Sequence, residues 1–405
     1  MDPQLATRAE GLRILEGFVP RMGRHYASGR NYDRGPGQHR DVSCLSPYLR
    51  RRLVTEKEVV AAALAEHGPE NAEKFVQEVL WRGYFKGWLE RRPSVWSDYV
   101  TGLKADLATL DLDRNLRKRI ERAESGSTGL DCFDAWAQEL VETGYLHNHA
   151  RMWFASIWIF TLELPWRIGA DFFYRHLLDG DPASNTCSWR WVAGLHTRGR
   201  TYEAQAWNIA KFTENRFAPS DADLAADTEG LQDQEPEGLP DVQPLRKVTE
   251  PAAGVPTALL LTEDDCVLDQ FDLAPLNIRA TATLATSHLR SRLAVADHVT
   301  TFEETALKEL ADRLGQSAEP MRAGVPEDLA LWAETASVQQ IAMPYAPTGP
   351  LSDWIAKARP ALATKGIALT EWRREWDALI WSHATAGFFK VKKKIPEILH
   401  QAGLS

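Results

Sequence analysis

The stretch DGDPASNTCSWRW at residues 179–191 combines residue types that seldom occur together. Its first half holds turn-forming and capping residues, which predict a loop from Asp179 to Asn185. Its second half places Trp189 and Trp191 two residues apart, directly after polar groups that hydrogen-bond but do not help to bury an indole. This mixture fits a binding site for a large, flat ligand with a polar edge. It also fits a loop that packs closely against the rest of the protein.

An arginine in the stretch YLHNHARMW at residues 145–153 is the second candidate. At helical spacing Asn148 and Arg151 lie on the same side of this segment. An arginine on such an apolar helix must find an anion, because a buried unpaired charge is costly, and Asp179 or Asp181 could supply it. The pair is either structural, tying a helix to a loop, or part of a ligand site.

The charge of the chain is unevenly distributed. The formal net charge is −9 over 405 residues, but residues 218–245 alone carry eight acidic and no basic residues. Basic clusters stand at 49–53, 114–122 and 198–200. Such runs indicate either solvated helix faces or phosphate-binding surfaces, and both interpretations stay open.

The cysteines and the apolar tracts restrict the class of protein. The four cysteines show no CxxC or Cys/His pairing, which argues against a disulfide framework or a cysteine-held metal and fits a reducing, cytoplasmic compartment. The N-terminus lacks a basic start followed by an apolar core, so we expect no secretory signal. The longest apolar tract, 152–166, is shorter than the roughly 20 residues of a membrane span, and it predicts a buried helix and no membrane contact.

The periodicity of apolar residues changes along the chain. Before residue 218 a spacing of three to four predicts helices and no strands, whereas after residue 249 short apolar runs predict strands that alternate with helices. No glycine-rich nucleotide motif accompanies the first predicted strand. The predicted helices are 55–68, 71–90, 130–144, 170–180, 302–315 and 351–366, and the predicted strands are 256–262, 280–286, 338–346 and 367–372.

Four ordered motifs resemble the FAD-binding helical domain of the DNA photolyase and cryptochrome family. They are VSCLSPYL at 42–49, EVLWRGYF at 78–85, YLHNHARMWFASIWIFTLELPW at 145–166 and the stretch at 179–191. The resemblance covers roughly residues 20–217. It implies a multidomain fold, with an all-helical photolyase-type FAD-binding domain at 1–217, an acidic linker at 218–248 and a Rossmann-like α/β domain at 249–405.

FAD is the cofactor that the resemblance implies. Hydroxyl and backbone N–H groups around Ser43, Leu45 and Ser46 would lie against its phosphates. Asn185 would face the flavin N5, where an amide can donate or accept. A second, antenna chromophore has no support in the sequence. The implied FAD-binding residues are Tyr26, Ser43, Leu45, Ser46, Arg82, Asn148, Arg151, Asp179, Asp181 and Asn185.

The same resemblance implies a pocket for a damaged base, lined by Glu78, Trp81, Met152 and Trp191. Aromatic walls would replace the stacking that a flipped pyrimidine dimer has lost, and a carboxyl group would bond its polar edge. The HNHARM context is similar to enzymes that act on cyclobutane pyrimidine dimers. Trp189 and Trp166 match two steps of the family's electron-transfer chain; the third step has no match near Arg114, and Trp136, Trp153 or Trp158 could replace it.

Three functions follow from this resemblance. The leading hypothesis is a light-driven lyase that repairs damaged DNA with reduced FAD. The rival is a cryptochrome-like photoreceptor that signals to a protein partner, and the third is a flavoprotein scaffold with neither activity. The family carries its α/β antenna domain before the FAD domain, so the α/β segment here is either that domain in reversed order or an unrelated addition.

Overall fold

The N-terminal half of the chain is helical. The computed structural model describes residues 2–404, and within them every strand follows residue 255, which confirms the prediction of no strand in the first part. The α-helices of this half are α1 Arg8–Phe18, α2 Arg24–Gly29, α3 Ser46–Arg50, α4 Glu56–Glu90, α5 Pro93–Leu110, α6 Arg114–Glu124, α7 Asp131–Thr143, α8 Asn148–Ser156, α9 Trp166–His176, α10 Pro182–Val192 and α11 Ala206–Phe212.

Helix α4 begins where the sequence predicts. The Thr55 hydroxyl accepts from the Glu58 N–H at 3.3 Å, and the Glu58 carboxylate accepts from the Thr55 N–H at 2.8 Å, which forms a capping box. Gly68 has a φ of 69° and Pro69 follows, so the helix is kinked between the two helices predicted at 55–68 and 71–90. The second half of α4 is therefore a separate straight segment, and it carries the EVLWRGYF motif.

The prediction of a loop from Asp179 to Asn185 is wrong in its second half. Asp181 is the N-cap of α10, where its carboxylate accepts from the Ser184 N–H at 2.8 Å, and Pro182 occupies the first helical turn. Both residues favour a helix start as strongly as they favour a turn. The polar residues after Asp181 therefore lie on the first turn of a helix.

The apolar tract at 152–166 is buried as predicted, but it is not one continuous helix. Helix α8 ends at Ser156, a π-helical turn covers Ile157–Thr161, and α9 begins at Trp166. Pro165 stands directly before α9 and Glu163 has a φ of 47°, so the chain reverses between the two helices. The helix predicted at 170–180 is the C-terminal part of α9, which ends at His176.

The second half of the chain contains a five-stranded parallel sheet with the order β3-β2-β1-β4-β5. Its central strands β1 and β4 are almost completely buried, as strands covered on both faces must be. The elements are β1 Pro256–Thr262, β2 Asn277–Ala285, α12 Asp297–Arg313, β3 Glu319–Arg322, α13 Asp328–Thr335, β4 Gln340–Pro344, α14 Pro350–Thr364, β5 Ala368–Trp372, α15 Glu375–Trp381, α16 Phe389–Lys392 and α17 Ile395–Gln401.

All four predicted strands and both predicted helices of this half occur within a few residues of their expected bounds. Strand β3 and the short helices α13, α15, α16 and α17 were not predicted from the sequence. Strand β3 is a four-residue edge strand of mostly exposed residues, so it has no apolar run that could mark it. Helix α13 has only eight residues and too few turns to establish a periodicity.

The basic cluster at 49–53 is neither a solvated face nor a phosphate-binding surface. Arg50, Arg51 and Arg52 are buried, because an acidic run that follows β1 faces them. Burial of so many charges is tolerated only where each finds a partner of opposite sign. The pairs are Arg50 Nη1 to Asp264 Oδ1 at 2.7 Å, Arg51 Nε to Glu263 Oε2 at 3.0 Å and Arg52 Nη2 to Asp377 Oδ1 at 2.5 Å.

The acidic segment predicted as a linker, 218–248, runs along the helical part. The Leu231 N–H donates to the Ala193 carbonyl at 2.9 Å, and the Gln243 N–H donates to the Arg91 carbonyl at 2.8 Å. One of its acidic residues, Glu235, also forms an ion pair with the buried Arg190 of α10. This segment crosses from the last helix of the first half to the sheet while staying in contact with the protein.

The last three helices return to the helical half of the molecule. Helix α15 packs against α4 where Gly83 and Gly87 stand one turn apart. A Cβ at Gly83 would come within 2.9 Å of Ile380 and one at Gly87 within 2.6 Å of Trp381, so only glycine permits this close approach. Within residues 2–404 we find no helix long and apolar enough to cross a membrane.

Candidate functional site

Most of the candidate residues line a single cavity of about 490 Å³ in the helical half. Helices α2, α4, α8 and α10 form its walls together with the segment at 42–46. Trp166 and the three tryptophans considered as its possible continuation, Trp136, Trp153 and Trp158, do not line it. The structure therefore brings these residues together at one cavity: Tyr26, Ser43, Leu45, Ser46, Glu78, Trp81, Arg82, Asn148, Arg151, Met152, Asp179, Asp181, Asn185, Trp189 and Trp191.

The arginine of α8 pairs with Asp179, one of its two predicted partners. Arg151 Nη1 and Nη2 donate to the two carboxylate oxygens of Asp179 at 3.1 and 3.0 Å, and Nε donates to the Leu146 carbonyl at 2.8 Å. Burial disfavours the charged carboxylate of Asp179, but Arg151 and Arg82 outweigh it and hold its pKa below the ordinary value. Asp179 is therefore an anion at neutral pH.

Asp181 connects the cavity to the other half of the molecule. Its carboxylate caps α10 and lies 3.6 Å from Lys86 Nζ and 3.7 Å from Arg50 Nε. Burial opposes its ionisation, but Lys86 and Arg50 lower its pKa below the ordinary value. Since Arg50 also bonds Asp264, a chain of charges runs from the cavity wall to the sheet.

Asn185 is fixed on the first turn of α10. Its Nδ2 donates to the Ala170 carbonyl of α9 at 2.8 Å, which sets the orientation of the amide against the cavity. This is the arrangement that a residue reading the edge of a flat ligand requires, because a rotating amide would lose its donor and acceptor pattern.

Three buried polar atoms of cavity-lining residues have no hydrogen-bond partner within residues 2–404. They are Arg82 Nη1, the Ser184 hydroxyl oxygen and Trp189 Nε1. Buried polar groups are normally satisfied, so these three indicate that a ligand supplies partners at the cavity. The cavity wall thus combines unpartnered donors, two carboxylates and aromatic faces, which fits a large ligand with an anionic part and a flat polar-edged part.

Glu78, Trp81 and Arg82 lie on one face of α4, at spacings of three and four residues. The Glu78 carboxylate forms an ion pair with Arg30 of α2. The Trp81 ring lies between Phe85, with centroids 5.3 Å apart, and Phe388, with centroids 3.9 Å apart. A carboxyl group and an indole therefore meet at the same part of the cavity.

Trp191 and Met152 also line the cavity. The Trp191 ring lies 5.5 Å from the ring of Tyr202, which limits its rotation. Met152 lies on α8, one residue after Arg151. An unbranched thioether adapts to a flat surface, and it suits a wall that receives an aromatic ligand.

Several residues of the cavity wall were not predicted from the sequence. His149 lies inside one of the motifs but was given no role; its Nδ1 donates to the Asn31 carbonyl at 3.0 Å, and its Nε2 bonds the Tyr202 hydroxyl at 3.2 Å. Burial lowers its pKa, so the ring is neutral at physiological pH. Among the other lining residues, Arg30, Asn31 and Phe75 lie outside the four motifs, whereas Cys44, Phe85 and Tyr145 lie inside them but were given no role.

The two tryptophans expected to carry electrons, Trp189 and Trp166, are both buried. Each has a different aromatic ring as its neighbour. Trp189 lines the cavity and has Trp158 as a ring neighbour, with centroids 6.3 Å apart in an edge-to-face arrangement. Trp166 has Tyr99 as a ring neighbour at 5.9 Å. Trp136 and Trp153 stack on each other at 5.4 Å. The structure thus offers Trp158, one of the substitutes considered above, as a direct neighbour of Trp189.

Comparison with known proteins agrees with this geometry. Residues 75–222 match the family described as the FAD binding domain of DNA photolyase. A deoxyribodipyrimidine photo-lyase of Streptomyces griseus is 38% identical over 160 residues, which cover 39% of this chain and 33% of that protein. One from Thermus thermophilus is 35% identical over 210 residues, which cover 50% of this chain and 45% of that protein. The chain thus spans less than half the length of these relatives.

Two solved structures are also similar to this chain. A class III photolyase from Agrobacterium tumefaciens is 26% identical with a TM-score of 0.41, and a cryptochrome from Synechocystis is 24% identical with a TM-score of 0.44. Each match covers 51% of this chain and 43% of the other.

Proposed function

We propose, on the premise that this chain belongs to the photolyase and cryptochrome family through its helical part, that it is a light-driven lyase that repairs cyclobutane pyrimidine dimers in DNA. The proposal rests on one observation. The same cavity is lined by Glu78, Trp81, Met152 and Trp191 and by the hydrogen-bonded pair of Arg151 and Asp179. A light sensor has no need for a carboxyl group and two indoles arranged around such a space.

FAD is the cofactor of this helical part, and the donor set of the cavity fits it. Arg82 and Ser184 have unpartnered atoms to offer its phosphate and polar groups, while Asn185 and Asp179 would stand at the flavin edge. When bound and reduced, FAD supplies an electron on absorbing light. The residues of the chain then bind, orient and shelter the two ligands.

The substrate side of the cavity has the groups that a flipped dimer requires. Trp81 and Trp191 provide aromatic faces that compensate for lost base stacking. Glu78 provides a carboxyl group that hydrogen-bonds the polar edge of the lesion and stabilises charge that develops there. Because the lesion has already weakened its own stacking, extrusion costs only a few kcal/mol.

A cryptochrome-like photoreceptor is the alternative, and the link between the cavity and the sheet favours it. Asp181 lines the cavity and contacts Arg50, which bonds Asp264 at the end of β1. A change of charge in the cavity would alter the strength of these ion pairs. The second half of the protein would then pass the resulting change in structure to a partner. The same link is compatible with a purely structural role.

The α/β part is proposed as a Rossmann-like domain that stands in the place of the family's antenna domain, with the boundaries 1–217, 218–248 and 249–405 used above. The strand order 3-2-1-4-5 and the parallel sheet support this assignment, because they are those of a doubly wound sheet. An unrelated appended α/β domain is the alternative, since shared strand order does not establish shared function.

One assay distinguishes the two functions. The purified protein with reduced FAD is illuminated with an oligonucleotide that contains a single cyclobutane dimer, and restored thymine is measured against a dark control. The repair proposal predicts light-dependent restoration. A protein that binds FAD and photoreduces it, yet neither binds nor repairs dimer-containing DNA in single- or double-stranded form, is a photoreceptor.

A further inference from the structure

The C-terminal segment Phe388–Lys394, here called the C-terminal rim, contacts the helix that carries Glu78 and Trp81. The Phe388 ring stacks on the Trp81 indole with an interplanar angle of 16° and a centroid distance of 3.9 Å. Phe388 is only 5% exposed and does not line the cavity, whereas Trp81 does. Phe388 therefore supports the Trp81 ring from behind and leaves the wall of the cavity to the indole.

The residue that follows has the opposite environment. Phe389 is 77% exposed, although it is among the most apolar side chains. The exposed phenyl ring stands directly beside a basic run. An exposed aromatic ring among cations is the arrangement that proteins use to stack the bases of a single strand while holding its phosphates.

Four lysines follow within five residues: Lys390, Lys392, Lys393 and Lys394. Lys392 lies 3.8 Å from Glu73 of α4, which holds the run against the helix only five residues before Glu78. The other three lysines are exposed to solvent. One cation of the run, Lys392, is thus held at the helix that carries Glu78. Lys390 bonds the Thr385 hydroxyl, and Lys394 forms an exposed ion pair with Glu397.

We propose that the C-terminal rim binds the DNA strand that carries the lesion, with Phe389 stacking on a base and Lys390, Lys393 and Lys394 contacting phosphates, while Phe388 positions Trp81. This inference rests on the proposed repair function, because it assumes that the occupant of the cavity is part of a nucleic acid. Its independent observations are the exposed phenyl ring and the basic run beside the cavity wall.

DNA is favoured over an anionic membrane as the partner of this segment. Helix α16 has four residues and offers one exposed apolar side chain, too little to insert into a lipid surface. The stack between Phe388 and Trp81 instead joins the segment to the candidate substrate cavity.

The test uses the full FAD-loaded protein and measures its affinity for a fluorescent oligonucleotide with a single cyclobutane dimer between roughly 50 and 200 mM salt. The triple variant Lys390→Ala, Lys393→Ala and Lys394→Ala should lower the slope of log affinity against log salt by about 2 to 3, because each phosphate contact contributes about 0.7 to 0.9. The single variant Phe389→Ala should weaken binding about tenfold or more with an unchanged slope.

A matched triple variant removes the same charge elsewhere. Lys308, Lys357 and Lys365 are exposed lysines of the α/β part, remote in sequence from α4. Their replacement by alanine should leave the salt slope almost unchanged. All the altered side chains are exposed, so FAD content and thermal unfolding should match the wild type.

The outcomes separate this inference from the repair proposal. A wild type that binds lesion DNA, with rim variants that bind equally well at the same slope, overturns the inference alone. Rim variants that lose binding to anionic vesicles but not to DNA overturn it in favour of a membrane. A wild type that binds no lesion DNA overturns both proposals.

Discussion

The guanidinium group of Arg151 and the carboxylate of Asp179 form a two-point hydrogen-bonded pair at the wall of the cavity, with distances of 3.1 and 3.0 Å. The pair joins α8 to the turn before α10, so it connects two of the helices that define the cavity. A buried charge of this kind is stabilised only while its partner remains. The shape of the cofactor cavity therefore depends on this contact.

Replacing Asp179 with Ala should release FAD. The change leaves Arg151 unpaired in a buried site and removes a carboxylate from the flavin side of the cavity. We expect the wild type to be purified with FAD and the Asp179→Ala variant without it, measured as the ratio of flavin to protein absorbance.

A control for this variant is Asp111→Ala. Asp111 forms an exposed ion pair with Arg117, and neither residue lines the cavity, so this change should leave the flavin content unchanged. A colourless wild type that does not take up added FAD would end the assignment of this cavity. An Asp179→Ala variant with full flavin content would show that the pair does not hold the cofactor.

The contact between the two halves of the chain leads to a prediction about stability. Arg52 lies within 3.3 Å of both Glu56 and Asp265 and bonds Asp377 at 2.5 Å, all of them buried. Arg52→Ala leaves three carboxylates without their shared cation, and we expect it to lower the free energy of unfolding by about 3–5 kcal/mol.

Urea unfolding followed by far-UV circular dichroism measures this change. The matched control is Arg117→Ala, which removes an exposed arginine from a surface pair and should cost less than about 1 kcal/mol. Equal effects of the two substitutions would mean that the buried cluster contributes nothing beyond a surface ion pair.

The buried arginines also show where sequence reasoning ends. The two helices that make up α4 and strand β1 were predicted because their signals are local: an apolar period and a run of β-forming residues. The partners of Arg50–Arg52 in the α/β part lie more than 200 residues away, and no local pattern distinguishes such a run from a solvated one. Pairing across the chain is a property of the packed structure alone.

The candidate site likewise contains residues that local motifs predict and residues that only the packed structure reveals. Most of its residues came from ordered motifs, and the structure places them at one cavity. Arg30, which pairs with Glu78, and Phe388, which stacks on Trp81, come from segments without any such motif. They contact the site only because α2 and the C-terminal helices pack on α4.

Photoreduction tests the role of Trp189. Its ring lines the cavity and has a tryptophan neighbour, and a series of short hops between indoles is faster than one long transfer. Replacement of Trp189 by Phe should nearly abolish the blue-light reduction of bound FAD, followed by absorbance in the presence of an external reductant. A variant that reduces at the wild-type rate would exclude Trp189 from the path.

The second step of this path is tested by a pair of variants. Trp166 is the step that the family resemblance implies, whereas Trp158 is the observed ring neighbour of Trp189 at 6.3 Å. Trp158→Phe and Trp166→Phe alter buried rings of the same kind, so their rates are directly comparable. The slower of the two variants identifies the second step.

Buried histidines predict a loss of stability in acid. His196 lies against the Trp88 ring at 4.4 Å, and burial lowers its pKa from 6.5 to about 3. Below pH 6.5 the unfolded chain binds a proton that the folded protein excludes, so the free energy of unfolding falls as the pH falls toward 3. The slope inside this window is about 1.4 kcal/mol per pH unit for one such group.

Urea unfolding at a series of pH values checks this prediction. His196→Gln retains a side chain that can bond the Tyr84 hydroxyl, now 3.1 Å from His196 Nε2, but it cannot bind the proton. In the variant, the free energy of unfolding should depend less steeply on pH between about pH 6 and 4, because one fewer proton is taken up on unfolding. An unchanged slope would show that His196 does not contribute to acid unfolding.

The last prediction concerns the carboxyl group of Glu78, which lies one turn before Trp81 on α4 and is paired with Arg30. A dimer in the cavity would donate a hydrogen bond to this carboxylate in place of Arg30, and a bond to a charged group contributes about 1.5–3 kcal/mol. Glu78→Ala should therefore lower the repair yield per absorbed photon by about tenfold or more, while FAD content and absorption stay at wild-type values because Glu78 stands on the substrate side of the cavity. Glu78→Gln keeps a hydrogen-bonding group of the same size and should repair with an intermediate yield. Trp81→Ala should instead weaken binding of damaged DNA by roughly 1–3 kcal/mol through the loss of one stacking face. A Glu78→Ala variant with the wild-type yield at saturating DNA would exclude the carboxyl group from the reaction and leave the aromatic walls as the substrate-binding elements.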